Sequence, residues 1–354
     1  MREIIFIKKS PKIDMGKALF TEITPSKYIN MIDCCIYSLI LQRSSDPSHL
    51  LPNHPSALTG SVAHKLIELA LKGEIDETSN FNEYWLKQIE KQEINLIKIH
   101  PNADFLLPLV DFQKKRATKE IVNNLIANSK VNLKKSNLSS EKSLSFQFLK
   151  GQIDLIIEGD LVEIIDYKSG NVLDDNGEIK EVYQLQLKLY AILYQKTFNR
   201  LVDKLIIINL NGEKHYINFN QPELDKLYKE VEESFQKINE LISSESFDNL
   251  YCKENTPCKY CRCKPVCNYY WDNCRNSEYE ISGKLIQIER VNYSLFKLTI
   301  RTILKDFYFH LDKSYFVIEQ LDRLMNKTIR VFNIRINDEI LNTTKMTMIY
   351  GFED

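Results

Sequence analysis

No excess of either charge marks this sequence: 47 Lys and Arg face 48 Asp and Glu, for a formal net charge of −1. A chain so balanced has no global attraction for polyanions. Any nucleic-acid site must therefore be a local basic groove, or must meet phosphate through metal ions. Long apolar runs are missing too. Ile4 to Ile7 is too short for the core of a secretory signal and is closely flanked by Glu3 and Lys8. No stretch approaches the length needed to span a bilayer. A soluble, cytoplasmic protein with no membrane partner is expected. Internal repeats and low-complexity segments are absent as well.

What is present suffices for two domains or one large elaborated one: 354 residues, of which 44% are hydrophobic. Helical periodicity is expected over 20–45, 59–72, 83–99 and 104–128. In the 59–72 helix Val62, Ala63, Leu66, Ile67 and Ala70 face a core and Gly73 marks the exit. Lys114, Lys115, Arg116 and Lys119 form a basic face on the last of these helices, of the kind that is usually solvated. Then the period changes to two. Leu144, Phe146 and Phe148, then Ile153, Leu155 and Ile157, then Val162, Ile164, Asp166 and Lys168 predict three successive strands. A helix over 180–196, a strand over 204–210 and a helix over 222–243 follow, so a mixed sheet flanked by helices is expected. From about Glu278 five short alternating runs, with a helix at about 316–325 before the fourth, suggest a small closed barrel of the OB-fold pattern. The fold class is thus α/β with a C-terminal β-barrel, divided as 1–275 and 276–354.

The most informative stretch runs from Gly151 to Gly170, G-Q-I-D-L-I-I-E-G-D-L-V-E-I-I-D-Y-K-S-G. Asp166 and Lys168, two apart on a strand, point to one face, and Asp154 on the preceding strand can lie alongside. The alternating face Val162, Ile164, Asp166, Lys168 passes from apolar to charged on its core side, a costly break unless the charges are used. Two carboxylates can hold Mg²⁺ or Mn²⁺. Such an ion activates water and stabilises phosphoryl charge, and a lysine can orient the nucleophile or neutralise developing charge.

This arrangement resembles the PD-(D/E)XK nuclease superfamily in its RecB-like branch. The resemblance rests on an ordered set: G-x-x-D at Gly151 to Asp154, D-Y-K-S-G from Asp166, G-S-V-A-H-K-L-I-E from Gly60, Glu141 at the first strand of the core, and Q-x-x-x-Y at Gln186 and Tyr190. It covers roughly residues 20–270. It implies a nuclease core in which His64, Asp154, Asp166 and the Tyr167 carbonyl bind the metal. Lys168 would be the catalytic lysine, and Gln186 and Tyr190 would steady the site and touch DNA. Glu68 is taken as a helix-face residue. Ile153 stands where the older restriction-enzyme pattern has proline.

The eight cysteines sit in two clusters, Cys34 with Cys35 and Cys252 to Cys274. Tight clusters in a cytosolic protein favour metal over disulfides. Cys258-x-x-Cys261-x5-Cys267 lacks the second close pair of a zinc ribbon. It resembles the iron–sulfur staple of AddB-like and CRISPR-associated RecB-like exonucleases, which implies a [4Fe–4S] cluster on four thiolates. Cys34 is favoured as the fourth ligand, with Cys35 in the place of the family's proline. Cys252, Cys263 and Cys274 would be spare, and zinc is the rival metal. The resemblance implies a DNA exonuclease or single-strand nuclease. No GxxxxGK[ST] loop occurs, so any unwinding falls to a partner helicase. A non-catalytic DNA-binding subunit and a redox-sensing iron–sulfur protein are the alternatives. The tail is expected to bind substrate or partner as a separable unit, through Tyr293, Phe296, Phe307, Tyr308 and Phe309.

Overall fold

The computed structural model describes residues 4–7, 19–33, 35–100, 112–132, 137–244, 250–251, 258, 261–273, 279–312, 319–337 and 340–352. A three-residue strand, β1 (Ile5–Ile7), comes first. It is followed by helices α1 (Pro25–Asp33), α2 (Ile36–Ser44), α3 (Pro55–Leu71), α4 (Phe81–Ile99) and α5 (Phe112–Asn132). The one helix expected over 20–45 is therefore two. Ile23 instead forms an isolated bridge to Leu149, and Cys35 heads α2 in an extended conformation. Pro55 opens α3 at a position where its missing N–H costs nothing, and the His54 side chain accepts from the Ser56 amide as cap.

The three expected central strands form as β2 (Asn137–Phe146), β3 (Leu149–Glu158) and β4 (Val162–Lys168). Helix α6 (Glu181–Phe198) then crosses over to β5 (Lys204–Asn209), which pairs with β4 in parallel, and β6 (Lys214–Ile217) closes the edge. The sheet order is β2-β3-β4-β5-β6. The four residues of β6 offer too short an alternation to be read from sequence. On one face, α1, α6 and α7 (Gln221–Ser243) cover Ile153, Ile156, Val162 and Ile164. On the other, α3, α4 and α5 cover Leu155, Ile165, Tyr167 and Ile206 with Val62, Leu66, Trp85 and Val122. Among the described residues no helix is long and apolar enough to cross a membrane.

After the short helix α8 (Asn268–Asn273) the tail forms β7 (Glu280–Arg290), β8 (Leu295–Arg301), β9 (Asp306–Asp312), α9 (Glu319–Asp322), β10 (Thr328–Asn337) and β11 (Ile340–Phe352). Neighbours run β7-β8-β9-β11-β10 and back to β7, with β9 and β11 parallel, so five strands close a small barrel. Leu285, Leu298, Ile300, Phe309 and Val331 fill it. This interior claims three of the five aromatics expected to face a partner: Phe309 is fully buried, and Phe296 and Phe307 pack against the same core. Tyr293 is exposed, and Tyr308 lies with Lys297 Nζ 4.2 Å above its ring.

Contacts cross the expected division after residue 275 at two places. β1, assigned by sequence to the nuclease unit, pairs in parallel with β11 through Ile5↔Tyr350 and Ile7↔Phe352. Its three residues are too few to reveal a partner. A third apolar cluster then joins the barrel to the cysteine region: Phe332, Met348 and Tyr350 pack with Leu41, Val266 and Trp271. Polar groups are buried in the same seam. Lys264 Nζ donates to Glu280 Oε1 at 2.9 Å, the Tyr270 hydroxyl also meets Glu280, and Arg330 Nη1 donates to the Pro265 carbonyl at 2.6 Å. The tail and the cysteine region thus share one packed seam. Removing everything after Asn276 should expose Trp271 and leave the cysteine region unfolded, read as loss of a cooperative urea transition. Lys264→Met leaves the Glu280 carboxylate buried without its cation and should cost about 3–5 kcal/mol in the same assay. A loss within about 1 kcal/mol, as for an exposed pair, would contradict the seam.

Candidate active site

The site is built where β3 parts from β4. Their ladder pairs Glu158 with Val162 and proceeds to Leu155 with Ile165, where it stops. One step further the same register would set Asp154 opposite Asp166. Ile153 and Leu155 lie on opposite faces of the sheet, in different cores, so β3 turns over at Asp154. Opposite it on β2, Glu141 sits in the left-handed region at φ 51, a conformation few non-glycine residues adopt. The opening leaves the Tyr167 amide without a strand partner, and Asp154 Oδ2 accepts from it at 2.8 Å. The same oxygen is 3.2 Å from His64 Nδ1 on α3.

Asp166 is buried at 2% exposure, on the side of β4 that its sequence neighbours Val162 and Ile164 make apolar. Lys168 Nζ stands 2.7 Å from Asp166 Oδ2, a buried ion pair. Burial, and then the charge of Asp154, raise the Asp166 carboxyl to about 6. Burial alone would depress the His64 imidazole, but its hydrogen bond to Asp154 and that carboxylate's charge raise it above its usual value.

Helix α6 supplies the support. Gln186 Oε1 accepts from Lys168 Nζ at 2.8 Å, and Gln186 Nε2 donates to the Tyr190 hydroxyl at 3.0 Å. The pair expected to touch DNA therefore holds Lys168 from beneath, with Tyr190 buried. Tyr183, one turn earlier, was not singled out from sequence. Its ring centre lies 4.9 Å from Lys168 Nζ, a cation–π contact. Two motif glycines let these parts meet. A Cβ at Gly151 would stand 3.0 Å from the Tyr190 ring, and one at Gly60 would stand 2.7 Å from Ser169 Oγ. Glu68, assigned to a plain helix face, is buried between Lys65 and Lys72.

The donor set suits a hard divalent cation: two carboxylates and an imidazole. In their present rotamers no three such side chains among the described residues converge tightly enough to hold an ion. Lys168 supplies positive charge beside the carboxylates, and His64 does so when protonated.

Near the seam to the barrel, Cys35, Cys258, Cys261, Cys263 and Cys267 line one small cavity with Ser38 and Lys264. Cys34, the favoured fourth ligand, lies outside the described residues, as do Cys252 and Cys274. Cys35, assigned to the family's proline position, is the α2 thiol at this cavity. Cys263, expected to be spare, is fully buried there with its sulfur 3.3 Å from the Ser38 carbonyl. A hydrogen bond from Cys263 lowers the Cys261 thiol to about 7, and burial pushes Cys267 up to about 12.

The sequence profile of the PD-(D/E)XK nuclease superfamily matches residues 35–268. The chain belongs to that superfamily. No curated protein sequence matches it significantly. Among solved structures, a putative exonuclease from Eubacterium rectale is 10% identical with a TM-score of 0.33, covering 66% of this chain and 85% of its own. An alkaline exonuclease from Laribacter hongkongensis is 10% identical with a TM-score of 0.28, covering 53% and 91%. The protein SSO0001 is 14% identical with a TM-score of 0.25, covering 58% and 94%.

Because folding raises the Asp166 and His64 pKa values, these two groups hold more protons in the folded than in the unfolded chain between about pH 4 and 7, whereas burial lowers the His100 imidazole to about 4 and acts in the opposite sense. In EDTA the contribution of the Asp166–His64 pair to stability should therefore fall as pH rises through that window. The check is thermal melting at pH 5 and pH 7: Asp166→Asn should raise the melting temperature at pH 7 relative to that at pH 5, and an unchanged difference would remove Asp166 as a contributor.

Proposed function

We propose that this protein is a metal-dependent deoxyribonuclease of the RecB-like branch, acting as an exonuclease or single-strand nuclease in repair, recombination or genome defence. One observation carries the reading. Asp154 and Asp166 meet at the opening of the β3–β4 ladder, with His64 3.2 Å from one and Lys168 2.7 Å from the other. His64, Asp154, Asp166 and the Tyr167 carbonyl would hold Mg²⁺ or Mn²⁺. The ion supplies Lewis acidity and a water of lowered pKa. Asp166 is buried, with Lys168 as its cation. Lys168, fixed by Gln186 and Tyr183, places an ammonium where negative charge develops. His64 orients Asp154, and the Tyr167 amide prevents that carboxylate from swinging away.

We read the cysteine cavity as the seat of a [4Fe–4S] cluster, with zinc as the alternative. The gathering of Cys35, Cys258, Cys261 and Cys267 supports it, and an acidic Cys261 thiol suits metal ligation. The barrel, with its helix between the third and fourth strands and a parallel pairing of third and fifth, is read as OB-fold-like. A partner helicase remains part of the proposal.

Purified protein should degrade end-labelled single-stranded DNA with Mn²⁺ or Mg²⁺ and not in EDTA. Lys168→Ala and Asp166→Asn should each reduce the rate at least a hundredfold, about 3 kcal/mol, with the fold retained. Activity within about tenfold of wild type would sink the assignment of that residue. Full activity in EDTA would sink the metal.

Cys261→Ser and Cys267→Ser should give protein that is colourless and less stable after anaerobic purification. Comparing Cys34→Ser with Cys35→Ser identifies the fourth ligand, since only the ligand's loss bleaches the protein. Stoichiometric zinc without iron in the wild type would end the iron–sulfur reading.

A further inference from the structure

An open groove of about 560 Å³ lies beside Asp154. Residues of α3, including His64 and Lys65, form one side, and Glu141 and Gln152 lie at its floor. The remaining side is α4, through Gln88, Lys91 and Gln92. These three are spaced so that one helix face presents all of them. The helix is anchored by Phe81 and Trp85, one to two turns earlier, in the second core, so that face is held at a fixed place relative to the site. Among the described residues none of the three has a hydrogen-bond or ion-pair partner.

The charges in the groove make this face consequential. Glu68, Glu141 and Asp154 line it with carboxylates. Lys65 Nζ is 2.6 Å from Glu68 and thereby committed. Lys91 is the groove's lysine without a carboxylate partner among the described residues. A phosphodiester strand entering an acidic groove is repelled unless cations or donors meet its phosphates. The chain as a whole, at a net charge of −1, supplies no compensating field.

We propose that the Gln88–Lys91–Gln92 face of α4 is a binding site for the sugar–phosphate backbone of single-stranded DNA. Lys91 Nζ meets the phosphate neighbouring the scissile one, and the two glutamine amides donate to backbone oxygens. Such contacts hold register and carry no base information, so the strand is gripped without sequence preference. The proposal rests on the nuclease reading of the same site, and the test separates the two.

The measurement is steady-state cleavage of end-labelled single-stranded DNA in Mn²⁺ over a range of salt. If the wild type shows no metal-dependent cleavage, the nuclease reading fails and this proposal falls with it. If the wild type cleaves, Lys91→Glu should raise the half-saturating DNA concentration about tenfold or more through a repulsive contact. Lys91→Ala should flatten the slope of log affinity against log salt by about 0.7, the signature of one lost phosphate contact on a single strand. Gln88→Ala with Gln92→Ala should raise half-saturation about threefold with the salt slope retained, and Lys91→Arg should restore most of the wild-type affinity. In each case the loss falls on half-saturation rather than on the saturated rate. Lys91 is exposed and Gln88 and Gln92 are half-buried, and a melting curve checks each fold. A wild-type cleaving enzyme whose half-saturation and salt slope survive Lys91→Glu overturns the α4 site and leaves the nuclease reading standing.

Discussion

A single backbone amide organises the active site. Where β3 and β4 part, the N–H of Tyr167 would be left without a partner at a buried position, a loss comparable to a whole hydrogen bond. Asp154 fills that place with its side chain. The sheet can then stay open at one end while remaining satisfied, and the carboxylate that closes the account also faces His64 and stands beside Asp166. The positive φ of Glu141 and the reversal of faces between Ile153 and Leu155 are the backbone adjustments that permit this opening. Strain and polarity concentrate at the same few residues, as expected of a site whose geometry is set by its scaffold.

Much of this was legible in the sequence because it follows period two. Asp166 and Lys168 had to share a face, and Asp154 had to come from the strand before. What could not be read was which way Asp154 would turn, since alternation alone puts it on the face of Ile156 and Gln152. The support of Lys168 by Gln186 was visible only as a motif. The role found for Tyr190, beneath the lysine, depends on Gly151, which lets the ring approach to van der Waals contact. Tyr183 was invisible because a cation–π contact leaves no pattern in spacing until its cation is placed.

The tail shows the opposite case. Its strands and helix were readable within a few residues, yet its relation to the rest was not. Alternation identifies which side chains point inward, but Phe332 and Tyr350 belong to a seam shared with Trp271. Lys264, Glu280 and Arg330 look like ordinary surface charges in sequence. They are buried because two units meet over them, and nothing local announces such a meeting. Likewise Cys35 and Cys263 are placed at the cysteine cavity by tertiary packing, not by their spacing in the motif.

The parallel pairing of β1 with β11 has a consequence for how the molecule is made. Ile5–Ile7 is synthesised early, but the strand it lies against runs through Tyr350 to Phe352. The Ile4 amide is met by Gln320, and the Tyr350 hydroxyl by the Leu50 carbonyl, across 316 and 300 residues of sequence. These contacts cannot form until nearly the whole span between them has emerged from the ribosome. The β1 segment must therefore wait, without its strand partner, while the nuclease sheet assembles. Closure over so long a span carries a large loop entropy and is a natural late step. A nascent chain stalled before β11 would present an open strand edge, which is the form of the protein most exposed to aggregation and to proteases.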